Sequence, residues 1–114
     1  MAEKILVVDD ELLILSVIEK ALSKEGYKII KARNMEEFII SLRQAPFNML
    51  ITDVYMDWNT ADGIISEVKE VSPSIKVLCM SGSADKSKKY PFIEKPFKIS
   101  DLRKKVRDIL DELS

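Results

Sequence analysis

Four short apolar runs, Ile5-Leu6-Val7-Val8, Ile29-Ile30, Met49-Leu50-Ile51 and Val77-Leu78, punctuate this chain, and the stretches between them change to a helical period. Runs this short and this uniformly apolar suit strands buried on both faces, the situation of a parallel sheet covered by helices. Leu15, Ile18 and Leu22 repeat at helical spacing after the first run, and Met35, Phe38, Ile39 and Leu42 after the second. Ile64, Val68 and Val71 mark a third helix, and Leu102, Val106, Ile109, Leu110 and Leu113 a fourth, amphipathic one. Strand and helix alternate, which predicts right-handed βαβ units in an α/β fold. Periodicity leaves the strand order open.

Boundary signals agree with this division. Asn34 and Glu37 have the spacing of a capping pair, Ser72-Pro73 stops the third helix, and Ser100 is the expected cap of the last. Gly26 falls where the first helix must end in a left-handed residue before a strand over 27–32. The rhythm breaks once. A fifth strand over 92–94 leaves about ten residues, 82–91, for a crossover that ordinarily takes a dozen or more, so any helix there is a turn or so long. Gly82, Ser83 and Pro91 favour an irregular connection.

A chain of 114 residues without a Gly/Ser- or Pro-rich linker is expected to form one domain, 1–114. Net charge is −1, so no overall field recruits nucleic acid or an anionic membrane. No apolar stretch approaches the ~20 residues that cross a bilayer, and residues 1–4 lead into a strand without a signal-peptide pattern, so a soluble, cytoplasmic protein is expected. Cys79, the one cysteine, sits among Val77, Leu78 and Met80 and reads as a buried hydrophobe. The chain has no histidine, which excludes imidazole acid–base chemistry, histidine metal ligation and a phosphohistidine of its own. Any phosphoryl chemistry must therefore use a carboxylate.

Chemistry-bearing residues stand at the ends of the runs: Asp9-Asp10 after the first, Asp53 after the third, Ser81 after the fourth and Lys95 after the fifth. In an open parallel sheet the carboxyl ends of the strands share one edge, where such folds bind ligands. Asp9, Asp10 and Asp53 would offer hard oxygen ligands suited to Mg²⁺, and a cation would offset their mutual repulsion. Lys95 and Ser81 could contact a phosphoryl oxygen. Taken singly, each has an ordinary explanation: Asp10 caps a helix, Asp9 is a solvated turn residue, Asp53 is a strand-end acid, Lys95 is a surface lysine before a turn proline, Ser81 satisfies backbone and Phe92 is core. All of these must hold at once for the set to carry no chemistry.

As a set and in this order, Val7-Val8-Asp9-Asp10, Leu50-Ile51-Thr52-Asp53-Val54-Tyr55-Met56, Met80-Ser81-Gly82 and Lys95-Pro96-Phe97 make the whole chain resemble a response-regulator receiver domain. The resemblance implies a flavodoxin-like, doubly wound, five-stranded parallel sheet of order 2-1-3-4-5 with helices on both faces, here with its fourth crossover helix shortened or absent. It implies that Asp53 accepts a phosphoryl group from a phosphohistidine donor, a sensor histidine kinase or histidine phosphotransfer protein, in a Mg²⁺-dependent reaction. Asp10 would bind the metal directly, Asp9 through water, and Tyr55 through its backbone carbonyl. Ser81 and Lys95 would contact the phosphoryl group, Ser81 and Phe92 would form a switch pair, and Lys95-Pro96 would be a cis peptide. Independent turnover of small molecules is not implied. Phe92-Ile93-Glu94-Lys95-Pro96-Phe97 looks most like receivers associated with hybrid sensor kinases.

Departures from that pattern fall in two loops. Asp57 follows Met56 where the family usually has proline, and the expected glycine comes about two residues late, at Gly63, so the loop after Asp53 is longer. The short 82–91 connection removes most of a face that many receivers use for output or dimerisation, which predicts a monomer. Lys86, Lys88 and Lys89 read as a solvated basic loop. Two alternatives remain open: a phosphatase or phosphotransferase of the haloacid dehalogenase type, whose Asp-x-Asp motif differs from the adjacent Asp9-Asp10, and a receiver-like interaction module that is never phosphorylated.

Overall fold

The computed structural model describes residues 2–82 and 89–112. Five parallel strands, β1 (Lys4–Val8), β2 (Lys28–Ala32), β3 (Met49–Asp53), β4 (Lys76–Ser81) and β5 (Phe92–Glu94), lie in the order β2-β1-β3-β4-β5. Among the described residues four α-helices accompany the sheet: α1 (Leu12–Ser23), α2 (Met35–Ser41), α3 (Ala61–Val71) and α4 (Ile99–Leu110). This is the doubly wound, flavodoxin-like sheet expected from the sequence. Between β4 and β5 only residues 82 and 89–91 are described, so the expected shortening or loss of the fourth crossover helix falls on residues outside the described ones. The rest of that connection, including Lys86 and Lys88, lies outside the described residues, as does Leu113.

Alternation along each strand explains the unbroken apolar runs. Ile5, Val7, Met49, Ile51, Leu78 and Met80 pack with Leu15, Ile18, Leu22, Leu102 and Val106 of α1 and α4. Leu6, Val8, Leu50, Val77 and Cys79 point to the opposite face and pack with Phe38, Ile64, Ile65 and Val68 of α2 and α3. A strand with helices on both sides needs an apolar residue at every position. Cys79 is part of the second layer and is buried.

The helix ends follow from local chemistry, with corrections. At the end of α1, Gly26 takes φ +93°, its N–H bonds Ser23 O at 3.0 Å and the Tyr27 N–H bonds Leu22 O at 3.3 Å, the paired bonds of a left-handed helix stop. Asn34 Oδ1 accepts from the Glu37 N–H at 2.9 Å, and Glu37 Oε1 reaches back to the Arg33 N–H at 3.0 Å, one residue before the cap. After seven residues α2 tightens into a 3-10 turn, Leu42–Gln44, and Ile39, expected on the buried face, is 51% exposed. Val71, at the end of α3, is also exposed rather than core. Ser100 does not cap α4: the helix starts two residues earlier than that cap would place it, with Lys98 at the cap position and Ser100 exposed in the first turn. β2 begins at Lys28, with Tyr27 buried in the turn before it.

Candidate functional site

Parallel pairing brings the run ends together. Val8 pairs with Thr52, Asp53 with Met80 and Ser81 with Glu94, so the residues after β1 and β5 flank the last residues of β3 and β4 on one edge. Backbone bonds fix the outer pieces, with the Val54 N–H on Met80 O at 2.9 Å and the Lys95 N–H on Ser81 O at 2.7 Å. The Lys95-Pro96 bond is cis, as the resemblance implied; a second cis bond, Ala45-Pro46, had no sequence signal.

Carboxylate oxygens of Asp9, Asp10 and Asp53 lie within 4.8 Å of one another, a group that could hold a metal ion. Their surroundings differ. Asp9 is fully buried, its Oδ1 accepting the Glu11 N–H at 2.8 Å and its Oδ2 accepting from Lys95 Nζ at 2.7 Å. Asp53 Oδ2 accepts from the same Nζ at 3.2 Å and Oδ1 from the Tyr55 N–H at 3.2 Å. Asp10 is exposed to solvent. One ammonium thus offsets part of the repulsion among three carboxylates, and the excess negative charge favours a divalent cation.

The electrostatics follow from burial and pairing. Burial raises the Asp9 carboxyl above its ordinary 3.8, an effect that its hydrogen bonds to Lys95 and to the Glu11 N–H only partly reverse. Lys95 is pulled down by burial, but its hydrogen bond to Asp9 and the charges of Asp9 and Asp53 outweigh this and raise it above 10.5. Asp9 loses more solvent than Lys95 and also feels Asp53, which is why its charged form is disfavoured while that of Lys95 is favoured.

Ser81 is buried at the end of β4, and Phe92 is half-buried at the start of β5. Tyr55, whose backbone was expected to face a metal, holds its side chain 73% exposed. The longer loop after Asp53 is held by contacts within itself and with α2. Tyr55 and Thr60 form an antiparallel bridge, Trp58 packs on Phe38 of α2 with ring centroids 6.0 Å apart, and Asn59 Oδ1 accepts the Thr60 N–H at 2.8 Å. A Cβ at Gly63 would meet the Asn59 side chain, which would have to shift to admit it. Trp58 buries its indole N–H without a partner among the described residues. Glu11 was passed over in the sequence although it adjoins the acidic pair; its Oε2 lies 3.6 Å from Lys95 Nζ. Clefts of about 510 and 390 Å³ run along β5 and α4 and take in none of the three aspartates. The three aspartates and Lys95 thus lie at the sheet edge outside these two clefts.

Residues 5–107 match the response regulator receiver domain model, and the chain belongs to that family. Among curated relatives, the probable transcriptional regulator ycf27 of Porphyra purpurea is 31% identical over 115 residues, covering 95% of this chain and 47% of that protein. The nitrogen assimilation regulatory protein NtrX of Azorhizobium caulinodans is 31% identical over 107 residues, covering 85% of this chain and 24% of that protein. The chain therefore spans less than half the length of these relatives. Among solved structures, the receiver domain of the hybrid histidine kinase CckA superposes with TM-score 0.82 at 27% identity, covering 95% of this chain and 99% of that one. Vibrio cholerae CheY4, at 22% identity and TM-score 0.85 over 96% and 99% of the two chains, shares the fold. This is a receiver domain homologous to two-component regulators.

Proposed function

We propose that Asp53 accepts a phosphoryl group from a phosphohistidine donor and that the chain then signals or relays it to a partner. The observation that carries this reading is Lys95 Nζ bridging Asp9 and Asp53, at 2.7 and 3.2 Å, beside an exposed Asp10. In the reaction the P–N bond of the donor breaks as a P–O bond forms to an Asp53 oxygen. An ionised carboxylate needs no general base, which suits a chain without histidine. Lys95 and the buried Ser81 hydroxyl would receive the phosphoryl oxygens, and Ser81 with Phe92 would form the switch pair. Asp10 has the exposure of a direct metal ligand, whereas Asp9, with both oxygens engaged by protein donors, fits a water-mediated role. The Tyr55 carbonyl would complete the protein ligands. Mg²⁺ bound there would neutralise the acidic edge and the transferring group.

The donor would be a sensor histidine kinase or histidine phosphotransfer protein. Leu12 and Leu13, 56% and 75% exposed at the start of α1 beside the acidic pair, offer it an apolar contact. Residues 1–114 would act as one receiver domain, monomeric, with no independent turnover. The likeness to the CckA receiver supports a hybrid-kinase association. The names of the ycf27 and NtrX relatives describe regulators, and the matched part is less than half of each. Among the described residues no helix is long and apolar enough to cross a membrane. A haloacid dehalogenase reading is disfavoured by Asp9, which is held by Lys95 and the Glu11 N–H rather than poised as a second acid.

Acetyl phosphate with Mg²⁺ should give one acid-stable, base-labile adduct that Asp53→Asn abolishes. Stoichiometric labelling of that variant would assign the reaction elsewhere, and hydrolysis of unrelated phosphate esters would restore the enzyme reading.

A further inference from the structure

Glu11 stands at the cap position of α1, where a side-chain oxygen would ordinarily accept a first-turn N–H, yet its side chain makes no capping bond. Its carboxylate is turned toward the acidic edge instead, with Oε2 3.6 Å from Lys95 Nζ. An ammonium has three N–H bonds to direct. Here Asp9 at 2.7 Å, Asp53 at 3.2 Å and Glu11 at 3.6 Å lie around it. The first two accept hydrogen bonds from Nζ, whereas Glu11 is 61% exposed and holds the ammonium only as a loose ion pair.

A phosphoryl group on Asp53 would need Lys95 for its own oxygens, and something must yield the ammonium. Asp9 is buried and fixed on its other oxygen by the Glu11 N–H, so it cannot move away without losing both bonds. Glu11 is solvated and its carboxylate makes no hydrogen bond among the described residues, so releasing Lys95 costs it little. We propose that Glu11 is a positioning residue that competes with the incoming phosphoryl group for Lys95. It holds the ammonium against the acidic edge in the unphosphorylated protein and slows phosphoryl transfer. The proposal rests on the phosphoacceptor reading of Asp53.

Two variants separate reach from charge. Glu11→Gln removes the charge, and Glu11→Asp keeps it but is one methylene too short to touch Lys95. With saturating Mg²⁺ and varied acetyl phosphate, both should label Asp53 faster than wild type by about two- to five-fold, the scale of a surface ion pair. The gain should fall on the rate at saturating donor, because Lys95 is recruited during transfer and not on first encounter. If Glu11→Asp labels like wild type, and the gain of Glu11→Gln lies only in the half-saturating donor concentration, Glu11 merely repels anions and the proposal is wrong. A thermal double-mutant cycle on unlabelled protein gives a second reading: Glu11→Gln should lower the melting temperature by roughly 1–5 °C in wild type and not in a Lys95→Met background. Equal shifts in both backgrounds would overturn the contact. An unlabelled wild type would sink the phosphoacceptor reading together with this proposal, whereas labelled wild type with unchanged variants sinks this proposal alone.

Discussion

Lys95 is the residue that makes three neighbouring aspartates tolerable in one small fold. Its raised pKa means that the folded state holds the proton more tightly than the unfolded chain. The corresponding stability is fully present below 10.5 and is lost as pH rises through the higher folded value. Melting temperature followed from about pH 9 to 12 should fall more steeply for wild type than for Lys95→Met; parallel curves would deny the ion pair its role. Asp9 shares the sign of this pH dependence, but its shift disfavours the charged form where that of Lys95 favours it. Its raised pKa gives stability that is present below 3.8 and lost as pH rises through the folded value, so the ionised, metal-free site is a burden at neutral pH. A cation should relieve that burden. At one hundred times its dissociation constant Mg²⁺ should stabilise the fold by about 2.7 kcal/mol. Asp10→Ala should lose most of this shift in a melting experiment, and a wild type indifferent to millimolar Mg²⁺ would count against the metal site.

At the scale of elements, legibility depends on whether the deciding interaction is local. Gly26 was readable because a helix ending in a left-handed residue needs glycine whatever packs around it, and φ +93° is what the chain adopts. Gly26→Ala should cost about 1–2 kcal/mol in denaturant unfolding with an unchanged slope, and a neutral result would mean that the turn relaxes. The Asn34–Glu37 pair was readable for the same reason. Ile39 and Val71 were not, since helical spacing names a stripe but not where packing ends, and both side chains are exposed within their helices. The α4 cap misled because Ser100 is the better capping residue, while the chain leaving Lys95-Pro96 starts the helix earlier. Nothing local announces that Trp58 will rest on Phe38, because the contact joins a loop to a helix about twenty residues away in sequence.

For the whole molecule, the 2-1-3-4-5 sheet of this receiver-family chain places the three aspartates, Ser81 and Lys95 at one edge. The connection over 82–91 has about ten residues, too few for a full crossover helix. Phosphorylation is therefore expected to act through a local change near Ser81 and Phe92, a charge event biasing a two-state element, without assembly through the face that such a helix would build. Scattering on the beryllofluoride-bound form at rising concentration should report a monomer. A tight dimer broken by substitutions in α4 would overturn this.

The sequence by itself determined the order of strands and helices, the burial of the strand runs on both faces and the residue types at the run ends, because periodicity and turn chemistry act over a few neighbours. It also offered Asp9, Asp10, Asp53, Ser81 and Lys95 as one set through the order of their motifs. Only the tertiary structure decided how that set is wired: that Asp9 is buried and held from both sides, that Asp10 faces solvent, and that one lysine bridges Asp9 and Asp53 with Glu11 beside it. Those facts depend on the register of strands distant in sequence and on which side chains the surrounding core leaves in contact with water. Neither can be read from a residue's neighbours along the chain.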